Sequence, residues 1–77
     1  MGYTMDMFLE EYRTSGANSK FMMVLVSVND SAHPEIIINT KSNFEEKMKY
    51  YQHAYLDDLT LKVNRNVRII SFSFLMI

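Results

Sequence analysis

The chain has 77 residues, 48% of them hydrophobic and 22% charged, with no cysteine and a net charge of −1. That length holds one small domain (1–77), its apolar content excludes a disordered tail, and the missing thiols exclude disulfides and thiolate metal sites as reinforcement. Eight basic residues scattered among nine acidic ones lack the clustered cations that neutralise phosphates, so nucleic-acid binding through Lys62, Arg65 and Arg68 ranks last among the functions considered.

Thr4 reads as a helix N-cap, with Asp6 in the first turn where the helix dipole favours an anion. Met5, Phe8, Leu9 and Tyr12 recur at i, i+3, i+4 and i+7, which predicts a helix over residues 5–14 that stops at Gly16. Phe21 to Val28 predicts a strand that is apolar on both faces: Phe21, Met23 and Leu25 on one, Met22, Val24, Val26 and Val28 on the other. Asn29 to Pro34 is turn chemistry, and Glu35 to Thr40 predicts the second strand of a hairpin.

Ser42-Asn43-Phe44-Glu45 matches a capping box. Phe44, Met48, Tyr51, Tyr55 and Leu59 then follow at steps of four, three, four and four, predicting a helix over residues 43–59. Residues 59–63 fit either a frayed helix end or a short strand. Val67 to Met76 predicts the last strand, with Ile70, Phe72, Phe74 and Met76 on one face and Val67, Ile69, Leu75 and Ile77 on the other.

The expected fold is α+β in the order α-β-β-α-β, with a three-stranded antiparallel sheet of order 2-1-3 and helices packed on it. That order puts the most apolar strand in the centre. If both helices share one side, the other side of the sheet stays uncovered, and such patches on small proteins mark interfaces. The interface candidates are Met22, Val24, Val26 and Val28 of the first strand with Phe72 and Phe74 of the last, and a homodimer is the partner state they imply.

Catalytic constellations are not evident. The pairs Glu10-Glu11, Glu45-Glu46 and Asp57-Asp58 are adjacent in helices and do not face each other. There is no nucleophile-elbow pattern, and two glycines make no phosphate-cradling loop. His53 and Asp57 have the spacing of a surface ion pair, and no third ligand completes a metal site. The reading is a non-enzyme without cofactor or metal.

Tyr50 lies off the apolar arc, beside Glu46, His53 and Asp57. An exposed tyrosine ringed by carboxylates suits a protein contact, and its acidic surroundings repel phosphates. The longest apolar run, Phe21 to Val26, falls short of the ~20 residues that span a bilayer. No cationic and apolar leader precedes it, so the expected setting is the cytoplasm with no membrane contact.

The runs Phe21–Asn29, Pro34–Thr40, Asn43–Lys47, Ala54–Leu59 and Val67–Phe72, with Tyr50-Tyr51 between them, resemble small orphan proteins of phages and prophages of Gram-positive bacteria. The likeness covers most of residues 21–74. Such proteins include anti-CRISPR inhibitors that bind and occlude a host protein. The resemblance therefore implies a non-catalytic binding module acting on a host defence protein. The alternative is a self-assembling accessory protein whose partner is itself.

Overall fold

A computed structural model describes residues 2–76. Helix α1 spans Met5–Ser15, and the Thr4 hydroxyl accepts the Met7 N–H at 3.3 Å, so the predicted cap forms. Gly16 follows in ordinary right-handed geometry (φ −61°) and opens a 3₁₀ turn, Gly16–Asn18. Glycine is required there for space rather than for backbone freedom: a Cβ would sit 2.7 Å from Tyr12 Cδ1.

Strands β1 (Phe21–Val28) and β2 (Glu35–Thr40) form the expected antiparallel pair. Asn29 and Asp30 both take φ 55°, and the Ser31 N–H closes on the Val28 carbonyl at 3.1 Å. Asn and Asp are the residues that tolerate left-handed backbone best after glycine.

The second helix differs from its sequence reading at both ends. A 3₁₀ turn, Lys41–Asn43, leads into α2 (Phe44–Ala54), and no side-chain cap forms at Asn43. Ser42 Oγ meets Thr40 Oγ1 at 3.2 Å instead, while Glu45 pairs with Lys49 at 3.4 Å. The capping box is therefore not made. The helix ends at Ala54, five residues early, because Tyr55 turns to extended backbone and bridges Leu61. Leu59 then takes φ 64° and returns its side chain to the core, fully buried. Tyr55 and Leu59 join Phe44, Met48 and Tyr51 in the core without being helical.

Residues 59–63 resolve as a hairpin. Of the two readings of this segment the strand is the one realised: β3 (Thr60–Leu61) turns through Lys62-Val63 into β4 (Asn64–Leu75), so the sheet has four strands rather than the expected three. The sheet order is β2-β1-β4-β3, antiparallel throughout. The expected 2-1-3 order survives as its first three strands, with β4 as the third.

β4 carries a bulge: Leu25 pairs with Ser71 and Val26 with Ile69, so Ile70 has no partner. The extra residue reverses the alternation. Ile69, buried, and Val67 join Phe72 and Phe74 toward the core, and Ile70 leaves the face assigned to it. Ile77 lies outside the described residues.

Both helices cover the same side of the sheet. Phe8 of α1 stacks on Phe72 at 4.5 Å, Tyr12 approaches Phe74 at 5.8 Å, and Phe44 of α2 meets Phe74 edge-on at 5.6 Å. Phe8 and Tyr51, 5.5 Å apart, join the two helices over Met22 and Val24, which are fully buried. Aromatic pairs of this kind add about 0.5–1.5 kcal/mol each beyond the area they bury. No helix among the described residues is long and apolar enough to cross a membrane.

Candidate protein-binding surface

The interface candidates from the sequence lie on the covered side. Met22, Val24 and Val26 are buried beneath the helices, and Val28, Phe72 and Phe74 pack against that cluster. They are core, not interface. The reason is local: Phe72 and Phe74 carry the aromatic bulk that matches Phe8, Tyr12 and Phe44, so the face of β1 paired with them is the one the helices take.

What stays open is the opposite face. β1 contributes Phe21, Met23 and Leu25, each half-buried, and β2 contributes Ile36 and Ile38, 61% and 62% exposed. The register aligns them: Met23 stands beside Ile38, Leu25 beside Ile36, and Phe21 beside Leu75 of β4. Ser73 and Ser71 flank Met23 and Leu25 from the other side, giving the apolar stripe a polar border. Fully burying an isoleucine contributes roughly 1.5–3 kcal/mol. Covering the exposed three-fifths of Ile36 and Ile38 would therefore add about 1–2 kcal/mol each.

The Tyr50 cluster is assembled in part. Glu46, Tyr50 and His53 are exposed on α2, with Tyr50 at 49%. Asp57 lies beyond the helix end, where its carbonyl accepts the Met5 N–H at 2.8 Å, so the His53–Asp57 helical pairing does not form. Sequence reasoning missed the ring's actual neighbours. Lys47 Nζ stands 5.3 Å from the Tyr50 centroid, Tyr51 lies 5.5 Å away, and Tyr55 meets Tyr50 edge-on at 6.4 Å. Tyr50 is thus the outermost ring of a three-tyrosine cluster packed edge-to-face, with a cation beside it.

The two inner phenols of that cluster, Tyr51 and Tyr55, titrate late. Burial pushes Tyr51 up to about 12, helped by Tyr55 and Tyr50. Burial also raises Tyr55, with Tyr50 and Glu35 adding to it. The Tyr51 hydroxyl has no hydrogen-bond partner among the described residues, nor does the Asn39 side-chain amide on β2.

The basic residues near the β3–β4 hairpin are partly neutralised. Asp58 Oδ1 accepts from Thr60 N at 3.1 Å and from Thr60 Oγ1 at 2.5 Å. Arg65 Nη2 donates to Asp58 Oδ2 at 2.8 Å, and Arg65 Nε donates to Thr60 Oγ1 at 2.6 Å. The bonds from Thr60, then the Arg65 charge, hold the Asp58 carboxyl below the ordinary aspartate range. Arg65 spends its charge inside the hairpin, which leaves Lys62 and Arg68 as the cations a phosphate backbone would meet.

Among the described residues, no three His, Asp or Glu side chains converge as metal ligands. One open groove, of about 400 Å³, lies between Tyr12, Arg13, Lys41 and Phe44. No family model, no curated protein and no solved structure matches this chain.

Proposed function

We propose that this chain is a non-catalytic protein-binding module that presents the open face of its sheet to a partner protein and occludes it. The observation that carries the reading is the uncovered stripe of Phe21, Met23, Leu25, Ile36 and Ile38, left bare because both helices pack on the other side. Contiguous apolar surface on so small a domain is costly to leave in water and is kept where a partner covers it. The Tyr50 cluster, an exposed aromatic edge with Lys47 beside it, supplies a second contact of the kind that anchors interfaces.

The resemblance of residues 21–74 to small phage proteins gives this reading its specific form, an inhibitor of a host defence protein acting in the host cytoplasm. Capture from host lysate with the wild-type chain, beside an Ile36→Ser/Ile38→Ser variant and Tyr50→Ala, tests it. The serine variant should lose the captured protein while melting within a few degrees of wild type, since both side chains are already mostly exposed. Tyr50→Ala should weaken capture while costing no more than about 1.5 kcal/mol of stability. Equal capture by all three chains would overturn the assignment to this face.

A further inference from the structure

The outer edge of β2 is a second surface, formed by backbone rather than side chains. β2 ends the sheet on its side. The Lys41 N–H donates to the Lys20 carbonyl at 3.0 Å, continuing the ladder one step beyond the Phe21–Thr40 pair. Alternation along an antiparallel ladder then turns the backbone groups of Glu35, Ile37, Asn39 and Lys41 toward β1, and those of Ile36, Ile38 and Thr40 toward the free edge. Edge strands are usually blunted by an inward lysine, a proline or a bulge. β2 has none of these within its span: Pro34 precedes it, and Glu35 is its single charged residue.

We infer that β2 pairs antiparallel with β2 of a second copy of this chain, centred on Ile38. In that register Ile38 faces Ile38 of the second copy, Ile36 faces Thr40, Ile37 faces Asn39, and Glu35 faces Lys41. Charge complementarity selects it, because the one acid and the one base that bracket the strand meet at both ends of the two-fold ladder. These two positions fall at non-hydrogen-bonded pairs, where side chains stand closest. Both side chains are on the helix side of the sheet: Glu35 is paired with the core residue Val26, and Lys41, just past the strand, lines the groove with Tyr12 and Phe44 and reaches the Ala17 carbonyl. Glu35 has no ion-pair partner among the described residues. Lys41 Nζ donates to the Ala17 carbonyl, which uses one of its three donors.

Neighbouring registers fit less well. Centring on Ile36 or Ile37 brings Pro34, which has no N–H, into a bonded position. Centring on Thr40 sets Ile38 opposite Ser42, inside the Lys41–Asn43 turn, whereas the Ile38 register reaches only the first residue of that turn, Lys41, whose N–H still bonds the Lys20 carbonyl. The Ile38 register uses all three outward residues. Its two-fold axis is perpendicular to the sheet, so the dimer is one eight-stranded sheet with every helix on one side and a doubled apolar face on the other. This pairing goes beyond the proposed function and holds whatever protein covers that face.

One strand edge is a small contact, so the dissociation constant should be on the order of 100 μM. Sedimentation equilibrium of the full chain, over concentrations bracketing that value, should show a reversible dimer. Glu35→Lys, which sets like charges opposite each other at both ends, should weaken it roughly tenfold while circular dichroism stays unchanged. The exchange Glu35→Lys/Lys41→Glu should restore it, which a mere folding defect would not do. A monomer throughout the range, a dimer indifferent to Glu35→Lys, or an exchange variant as weak as the single would each overturn the pairing.

Discussion

Replacing Tyr51 by Phe should stabilise this fold, although tyrosine-to-phenylalanine changes in cores commonly remove a hydrogen bond and cost stability. Tyr51 is 1% exposed, and its hydroxyl has no partner among the described residues. An unpaired buried hydroxyl costs about 1–3 kcal/mol in lost hydration. Removing it while keeping the ring contacts with Phe8 and Tyr55 should therefore gain about 1 kcal/mol, or about 5 °C in Tm for a domain this size. The alkaline limb gives an independent reading. The phenol is pushed up to about 12 in the fold, against 10.0 ordinarily, so the neutral form is the one the fold favours. Below pH 10 its ionisation takes nothing from the fold; as pH rises from there toward 12 the buried phenol resists ionising and stability falls, by at most about 2.7 kcal/mol. The Phe variant has no such proton to lose and should unfold later at high pH. Tyr55, raised in the same direction, still titrates in both proteins. Denaturant melts at neutral pH and through the alkaline range measure both effects. A variant less stable than wild type by about 1 kcal/mol at pH 7 would show that the hydroxyl is bonded after all.

Two further substitutions separate local causes. Gly16→Ala should destabilise by about 1–3 kcal/mol, because the new Cβ meets the Tyr12 ring, even though helix propensity at right-handed φ favours alanine; a thermal melt showing a gain would mean Tyr12 moves aside freely. Asp58, whose carboxyl is held low by Thr60 and Arg65, supports the hairpin at neutral pH and loses that role only as pH falls through its lowered pKa. Asp58→Asn should flatten that acid limb, and an NMR titration placing the wild-type carboxyl at or above the ordinary aspartate value would contradict the network.

Much of this fold is legible in the sequence where two independent patterns coincide. α1 has both a cap at Thr4 and a stripe through Met5, Phe8 and Tyr12, and its bounds follow closely. β1 and β2 are bracketed by turn residues, and their spans match the sequence reading. α2 overruns because nothing marks its end: no glycine or proline interrupts residues 43–59, and Tyr55 and Leu59 keep the four-residue spacing. They keep it for another reason. An extended Tyr55 and a left-handed Leu59 bring both side chains back into the core that α2 covers. The bulge is equally silent, since Ile69 and Ile70 are identical and a one-residue slip between them leaves the hydrophobic pattern unaltered.

The location of the binding face turns on a choice that β1 alone does not determine, being apolar on both sides. Its neighbours determine it. Across from Met22 and Val24 stand Phe74 and Phe72, while across from Met23 and Leu25 stand Ser73 and Ser71. Two serines side by side cannot fill the space beneath a pair of helices, whereas two phenylalanines can stack against Phe8, Tyr12 and Phe44. The serine side is therefore the one left to solvent, and with it Ile36 and Ile38 on the far strand. Once the β1–β4 register is known, the Phe-Ser alternation of residues 71–74 names the covered face. The strong apolarity of Ile36 and Ile38 then becomes the unexplained remainder, because a strand edge facing only water has no physical need of it.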